Sequence, residues 1–184
     1  MTSADASLLE KFIADCREAA RGSGAVARIA ELTEALVADP SAIQAEAKPL
    51  PDRIPSMGWE DLLFDDDAIT VMLIATPPGV AQPPHDHRMP AVIGVFQGCE
   101  DQRFYRRQGD GLLEMRGRAI QQGEVLTLGK ATVHAISTDG PDVCRAVHVY
   151  LGKLADVDRT IYDPETFEPE VFTIERYAEY CIPL

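Results

Sequence analysis

The 184-residue sequence predicts a mainly β sandwich or small barrel, with a helical segment in front of it. Three observations carry that prediction. Residues 6–47 hold apolar positions at i, i+3 and i+4 spacing, which a helix gathers on one face. From about residue 60 to residue 152 the texture changes to short apolar or alternating runs, punctuated by Gly, Pro and Asp. That many short runs in about 90 residues leaves no room for the helical crossovers of a βαβ fold.

Taken in order, "SLLEKFIADCREAA" places Leu8, Leu9, Phe12, Ile13 and Cys16 on one helical stripe, and "RGSG" breaks it. "AVARIAELTEALVAD" repeats the stripe with Val26, Ile29, Leu32, Leu36 and Val37. Asp39-Pro40 ends this second helix, and Ser41 is the expected cap of a short third one. The Pro-rich "AKPLPDRIPSMG" then marks the change of architecture, so the chain divides into a helical segment, 1–48, and a β unit with its tail, 49–184. Strands are expected at 68–76, 91–98, 100–107, 112–120, 124–129, 133–138 and 143–151. "RQGDG", "QQG" and "STDGPD" supply turns at hairpin-like spacing. The tail after Tyr150, charged and rich in aromatics, is expected to wrap the β unit and end in a short helix.

Composition narrows the function. The formal charge of −13 repels phosphate backbones and anionic lipid, so neither nucleic acid nor membrane is an expected partner. No apolar run approaches the roughly 20 residues of a bilayer span. The N-terminus has no basic stretch followed by an apolar one, and Cys16, Cys99, Cys144 and Cys181 show no CxxC spacing. A cytoplasmic protein with reduced thiols is the expectation. No G-x-S-x-G occurs, and "GSGAVAR" lacks the strand and the lysine of a phosphate loop.

The histidines carry the chemistry. There are four, and all fall within or beside expected strands: His85, His87, His134 and His148. Side chains at i and i+2 of a strand share a face, so His85 and His87 point the same way. A single histidine is most simply a hydrogen-bonded core or surface residue. Two imidazoles buried together are costly without partners. A divalent transition metal satisfies both, provided that a third ligand arrives from elsewhere.

The spacing resembles that of the cupins. Gly79, five residues, then His85-x-His87, closing at Gly98, matches their first motif; Gly123, with His134 eleven residues later, matches the interval of their second. Gly129, Ala131 and Thr138 stand where the second motif usually has Pro, Gly and Asn. The resemblance covers residues 68–152 and implies a double-stranded β-helix, or jelly-roll barrel, whose opposed strands bring His85, His87 and His134 to one metal. Most cupins add a Glu ligand after the His pair. Here that position is Ala91, which leaves a neutral three-histidine face with positions open for substrate and O2.

Cupins of that kind resemble the cysteine dioxygenase family of thiol dioxygenases, and more closely a bacterial branch described as predicted metal-dependent enzymes of the double-stranded β-helix class. "AVHVYLG" sets His148 and Tyr150 at the family's Ser-x-His-x-Tyr relay, with Ala146 in place of the Ser. The cysteine that crosslinks to the Tyr in animal members falls near Val92, so no crosslink is implied. The resemblance implies Fe(II), with Ni, Zn or Mn as substitutes in a purified sample, and oxidation of a small thiol by O2 to a sulfinate. The family's upstream carboxylate-binding Arg has no counterpart in "WEDLLFDDD". In relatives acting on mercapto-acids an Arg follows the relay Tyr by nine residues, where Arg159 stands. Arg159 is either that anchor or a surface ion-pair partner of Asp156 and Asp158. Arg88 and Arg103 are alternative anchors. Tyr150 is either a relay residue or a core aromatic whose hydroxyl bonds to backbone.

Other activities stay open on the same residues: a C–C cleaving dioxygenase of diketone type, a metal-dependent isomerase, or a non-catalytic metal cupin that binds a small molecule. A homodimer is among the assemblies open to the chain.

Overall fold

A computed structural model describes residues 6–109 and 111–184. The N-terminal helices form where the stripes lie: α1 (Leu8–Ala19), α2 (Ala25–Val37) and α3 (Pro40–Glu46). Ser7 opens α1 with a capping box in which its hydroxyl accepts from the Glu10 amide and the Glu10 carboxylate accepts from the Ser7 amide. For α3 the cap falls earlier than expected. Asp39 accepts from the Ala42 amide, Pro40 takes the first helical position, and the Ser41 hydroxyl donates to Asp39 rather than capping.

The strands follow: β1 (Trp59–Asp65), β2 (Thr70–Thr76), β3 (Val80–Ala81), β4 (His85–Asp86), β5 (Ala91–Gln97), β6 (Cys99–Gln108), β7 (Gly111–Glu114), β8 (Arg118–Gln121), β9 (Val125–Leu128), β10 (Val133–Ser137) and β11 (Cys144–Tyr150). After a 3-10 turn at Leu154–Asp156 come β12 (Thr160–Tyr162), β13 (Pro169–Val171), α4 (Ile174–Glu179) and β14 (Ile182–Pro183). They make two antiparallel sheets. One runs β1-β2-β11-β5-β9; the other runs β13-β12-β4-β10-β3-β14, with β6 joining at β10 and carrying β7 and β8. The fold is the expected mainly β one, two antiparallel sheets with a helical segment in front of them. No helix of the described residues is long and apolar enough to cross a membrane.

The central strands of the first sheet, β2, β11 and β5, are buried on both faces, and that explains their composition. Val71, Leu73, Val92, Phe96, Val147 and Val149 pack outward against Leu9, Phe12, Ile29, Leu36 and Val37 of the helices. Ala91, Ile93, Val95, Ala146 and Tyr150, their neighbours in the strands, pack inward. Such strands read as continuous apolar runs because neither face meets water. Helix α2 lies so close to β5 that a Cβ on Gly94 would collide with the Thr33 methyl and come within 2.8 Å of a Val37 methyl. The glycine is what lets helix and sheet meet there.

Three expectations change. "WEDLLFDDD" is the edge strand β1, hidden in the sequence because acidic residues occupy both faces. The expected strand 112–120 is two strands, β7 and β8. Between them the backbone at Gly117 runs so near the Gln102 carbonyl that a Cβ there would clash with it. The tail does fold onto the barrel, with Ile161 beside His85 and Ile182 beside Ala81, but it ends in β14 rather than in a helix.

Candidate metal centre

β4 and β10 are antiparallel neighbours in register His85↔His134, so two imidazoles start side by side on the inner face. His87, one residue past β4, returns to that face, while Asp86 between them points away. Ligand nitrogens of the three lie within 4.8 Å of one another. His87 Nε2 sits 3.2 Å from His85 Nε2 and 3.4 Å from His134 Nε2. All three side chains are buried, at 5%, 5% and 1% exposure.

For His85 and His134 the outer nitrogen fixes the tautomer. His85 Nδ1 is 3.0 Å from the Pro83 carbonyl, which can only accept, so Nδ1 carries the proton. His134 Nδ1 is 2.7 Å from the Gln102 amide oxygen and donates to it. Both Nε2 atoms are therefore bare lone pairs aimed at the same space as His87 Nε2. A single N–H from His87 satisfies at most one of them well; a cation satisfies all three. Burial holds the His85 pKa down at about 4 and keeps His87 and His134 well below the ordinary value, with repulsion from neighbouring histidines adding to it for the latter two. Neutral imidazoles are what a divalent transition metal binds. Among the described residues no carboxylate or thiolate joins the cluster, and Ala91 is buried in β5. The donor set fits a three-nitrogen metal site.

The centre opens into a cavity of about 180 Å³. Its walls come from β1, β2, β11 and the tail, including Met72, Ile74, Leu154, Phe172 and Tyr177. Alternation on β11 turns His148 and Tyr150 into it. The Tyr150 hydroxyl lies 3.1 Å from His148 Nδ1, and its ring centre is 4.9 Å from that of His87. His148 Nε2 is buried with no protein hydrogen-bond partner. Burial lowers the His148 pKa to about 3 and raises that of Tyr150, so both groups are neutral near pH 7.

Of the three arginines, only Arg159 lines this cavity. Its guanidinium stacks 3.7 Å above the Phe172 ring centre, and burial lowers its pKa. Asp156 pairs with Lys153 instead, at 3.3 Å, and no acidic side chain among the described residues forms an ion pair with Arg159. Glu60 stands at the mouth, its pKa raised by desolvation against the pull of Arg159. Arg88 is turned away: left-handed at φ 56°, it reaches the buried Asp86 carboxylate at 3.0 Å and the Thr160 hydroxyl at 2.7 Å. Arg103 alternates with Gln102 on β6 and so faces a separate cavity on the outer side of the sheet.

Several residues of the centre are not among the sequence candidates. Asp86 accepts from Arg88, Arg107 and the Thr160 amide, tying the His-x-His segment to β12. Tyr177 of the tail donates to Gln82 and packs edge-on to His85, ring centres 5.3 Å apart. Glu100 and Gln102 stand behind His134. "EDQ" carries a signal for the last two: they are i and i+2 on a strand whose facing pattern buries them.

No protein-family model and no curated protein matches the sequence. Solved structures that it resembles include forms of Bacillus subtilis oxalate decarboxylase. One, from work on that enzyme's Mn(II) centres, gives a TM-score of 0.49 at 15% identity over 65% of this chain and 31% of that one. The same enzyme at pH 4.6 gives 0.45 at 16% identity over 59% and 28%. This chain thus spans less than a third of those chains' length.

Proposed function

We propose that this chain is an iron(II) thiol dioxygenase that converts a small mercapto-carboxylate and O2 into a sulfinate. What supports it most is the combination of three converging imidazoles, unaccompanied by a carboxylate, with the His148–Tyr150 pair and a lone guanidinium in one small cavity.

The overall change balances without a co-reductant. The O–O bond breaks, two S–O bonds form, the thiolate sulfur loses four electrons and O2 accepts four. Iron(II), which His85, His87 and His134 would hold, would supply the redox capacity that couples a thiolate to O2. The chain supplies the rest. Arg159, held flat on Phe172, binds the substrate carboxylate through its planar fork. The Tyr150 hydroxyl, fixed by His148, offers a hydrogen bond beside the reacting atoms. Met72, Ile74 and Leu154 exclude water along the substrate chain.

The test is anaerobic loading with Fe(II), then O2 uptake with cysteine, 3-mercaptopropionate, mercaptosuccinate and cysteamine. Carboxylate-bearing thiols should consume equimolar O2 and yield sulfinate. Arg159→Ala should lower kcat/KM for them by about 10- to 100-fold, the worth of a charged hydrogen bond, and leave cysteamine unaffected. No uptake with any thiol at full iron content would refute the assignment.

A further inference from the structure

Behind His134 lies a short polar chain inside an apolar wall. Gln102 Nε2 donates to Glu100 Oε1 at 2.6 Å, and the Gln102 amide oxygen faces His134 Nδ1 at 2.7 Å. The side chains of Glu100, Gln102 and His134 are buried, at 0%, 1% and 1% exposure, and Glu100 Oε2 has no hydrogen-bond partner. Ile120, Cys144 and Ala146 belong to the surrounding core. A carboxyl group placed there, half unpartnered, is an expensive choice for a strand that an apolar residue would fill. It does one thing that an apolar residue or an amide cannot. A carboxylate only accepts, so the Gln102 amide must offer it the NH2 and turn the oxygen toward His134. That oxygen in turn requires the proton of His134 on Nδ1.

We propose that Glu100 and Gln102 are a positioning pair whose acceptor-only end sets the direction of this chain, locking His134 as the Nδ1–H tautomer with its Nε2 lone pair on the three-imidazole centre. An amide at position 100 would leave the direction undecided, because two amides in series are satisfied either way round. In the reversed chain Gln102 donates to Nδ1, the proton moves to Nε2, and the lone pair leaves the centre. The consequence for metal affinity rests on the metal reading above; the consequence for the tautomer does not.

The experiment uses the full chain at pH 8, where the carboxyl group, raised to about 7 by burial, is mostly ionised. Nitrogen-15 NMR of the metal-free protein reports the His134 tautomer, and Co(II) titration reports affinity. Wild type should show Nδ1–H only. The isosteric Glu100→Gln should give a mixture of tautomers and bind Co(II) about 10-fold more weakly, within the range for an orienting partner. The exchanged double variant, Glu100→Gln with Gln102→Glu, places the acceptor-only group directly against Nδ1 and should restore the single tautomer. A pure Nδ1–H tautomer in folded Glu100→Gln overturns the proposal. Failure of wild type to bind Co(II), with the tautomers behaving as stated, overturns the metal reading and leaves the positioning role intact.

Discussion

The charge states inside the barrel oppose one another, and their balance can be read out as stability. His85 and His148 have folded pKa values of about 4 and about 3, below the unfolded 6.5. Their contribution is present above pH 6.5 and is lost as pH falls through the window below it, because the unfolded chain takes up protons first. Glu100 runs the other way. With a folded value of about 7 against 4.5 unfolded, its contribution is full below pH 4.5 and is lost as pH rises to 7. Unfolding of metal-free Glu100→Gln and wild type by urea should therefore diverge with pH. The variant should gain about 3 kcal/mol relative to wild type between pH 4.5 and 7.5. A constant difference across that range would show that Glu100 does not titrate while buried.

At the scale of elements, strand periodicity explains both what the sequence reveals and what it conceals. His85 and His87 were legible as a pair because i and i+2 share a face, whereas His134 was reached only through the resemblance to the interval of a known motif. The same alternation turns Arg103 outward, while a left-handed backbone turns Arg88. Arg88 and Arg103 face away from the cavity, a fact that depends on strand register and on the pull of Asp86 rather than on residue type. β1 was not legible because its acidic residues interrupt any alternation, although Glu60 and Leu62 line the cavity mouth. Gly94 belongs to the same scale. Gly94→Ala should destabilise the protein by about 1–3 kcal/mol, the range for overpacking, by forcing α2 off β5. Thermal unfolding checks this; an unchanged Tm would mean that the helix is not seated on the sheet at that point.

For the whole molecule, the barrel brings together residues far apart in the chain: His85 from β4 and His87 just after it, His134 from β10, His148 and Tyr150 from β11, and Arg159, Phe172 and Tyr177 from the tail. The tail's contribution could not be read in advance, since Tyr177 and Phe172 matter only through packing against His85 and Arg159. The mainly β class and the central strands β2, β5 and β11 were written in the apolar runs, while the choice of a barrel over a sandwich came from the resemblance. The claim on which all else depends is that three imidazoles hold one ion without a carboxylate. X-ray absorption of the Fe(II)-loaded full chain, with iron content measured beside it, addresses that most directly. A single iron per chain with three imidazole nitrogens and no protein carboxylate, abolished in His87→Ala, is the predicted result. An ion bound through a carboxylate, or retained unchanged by His87→Ala, would contradict it.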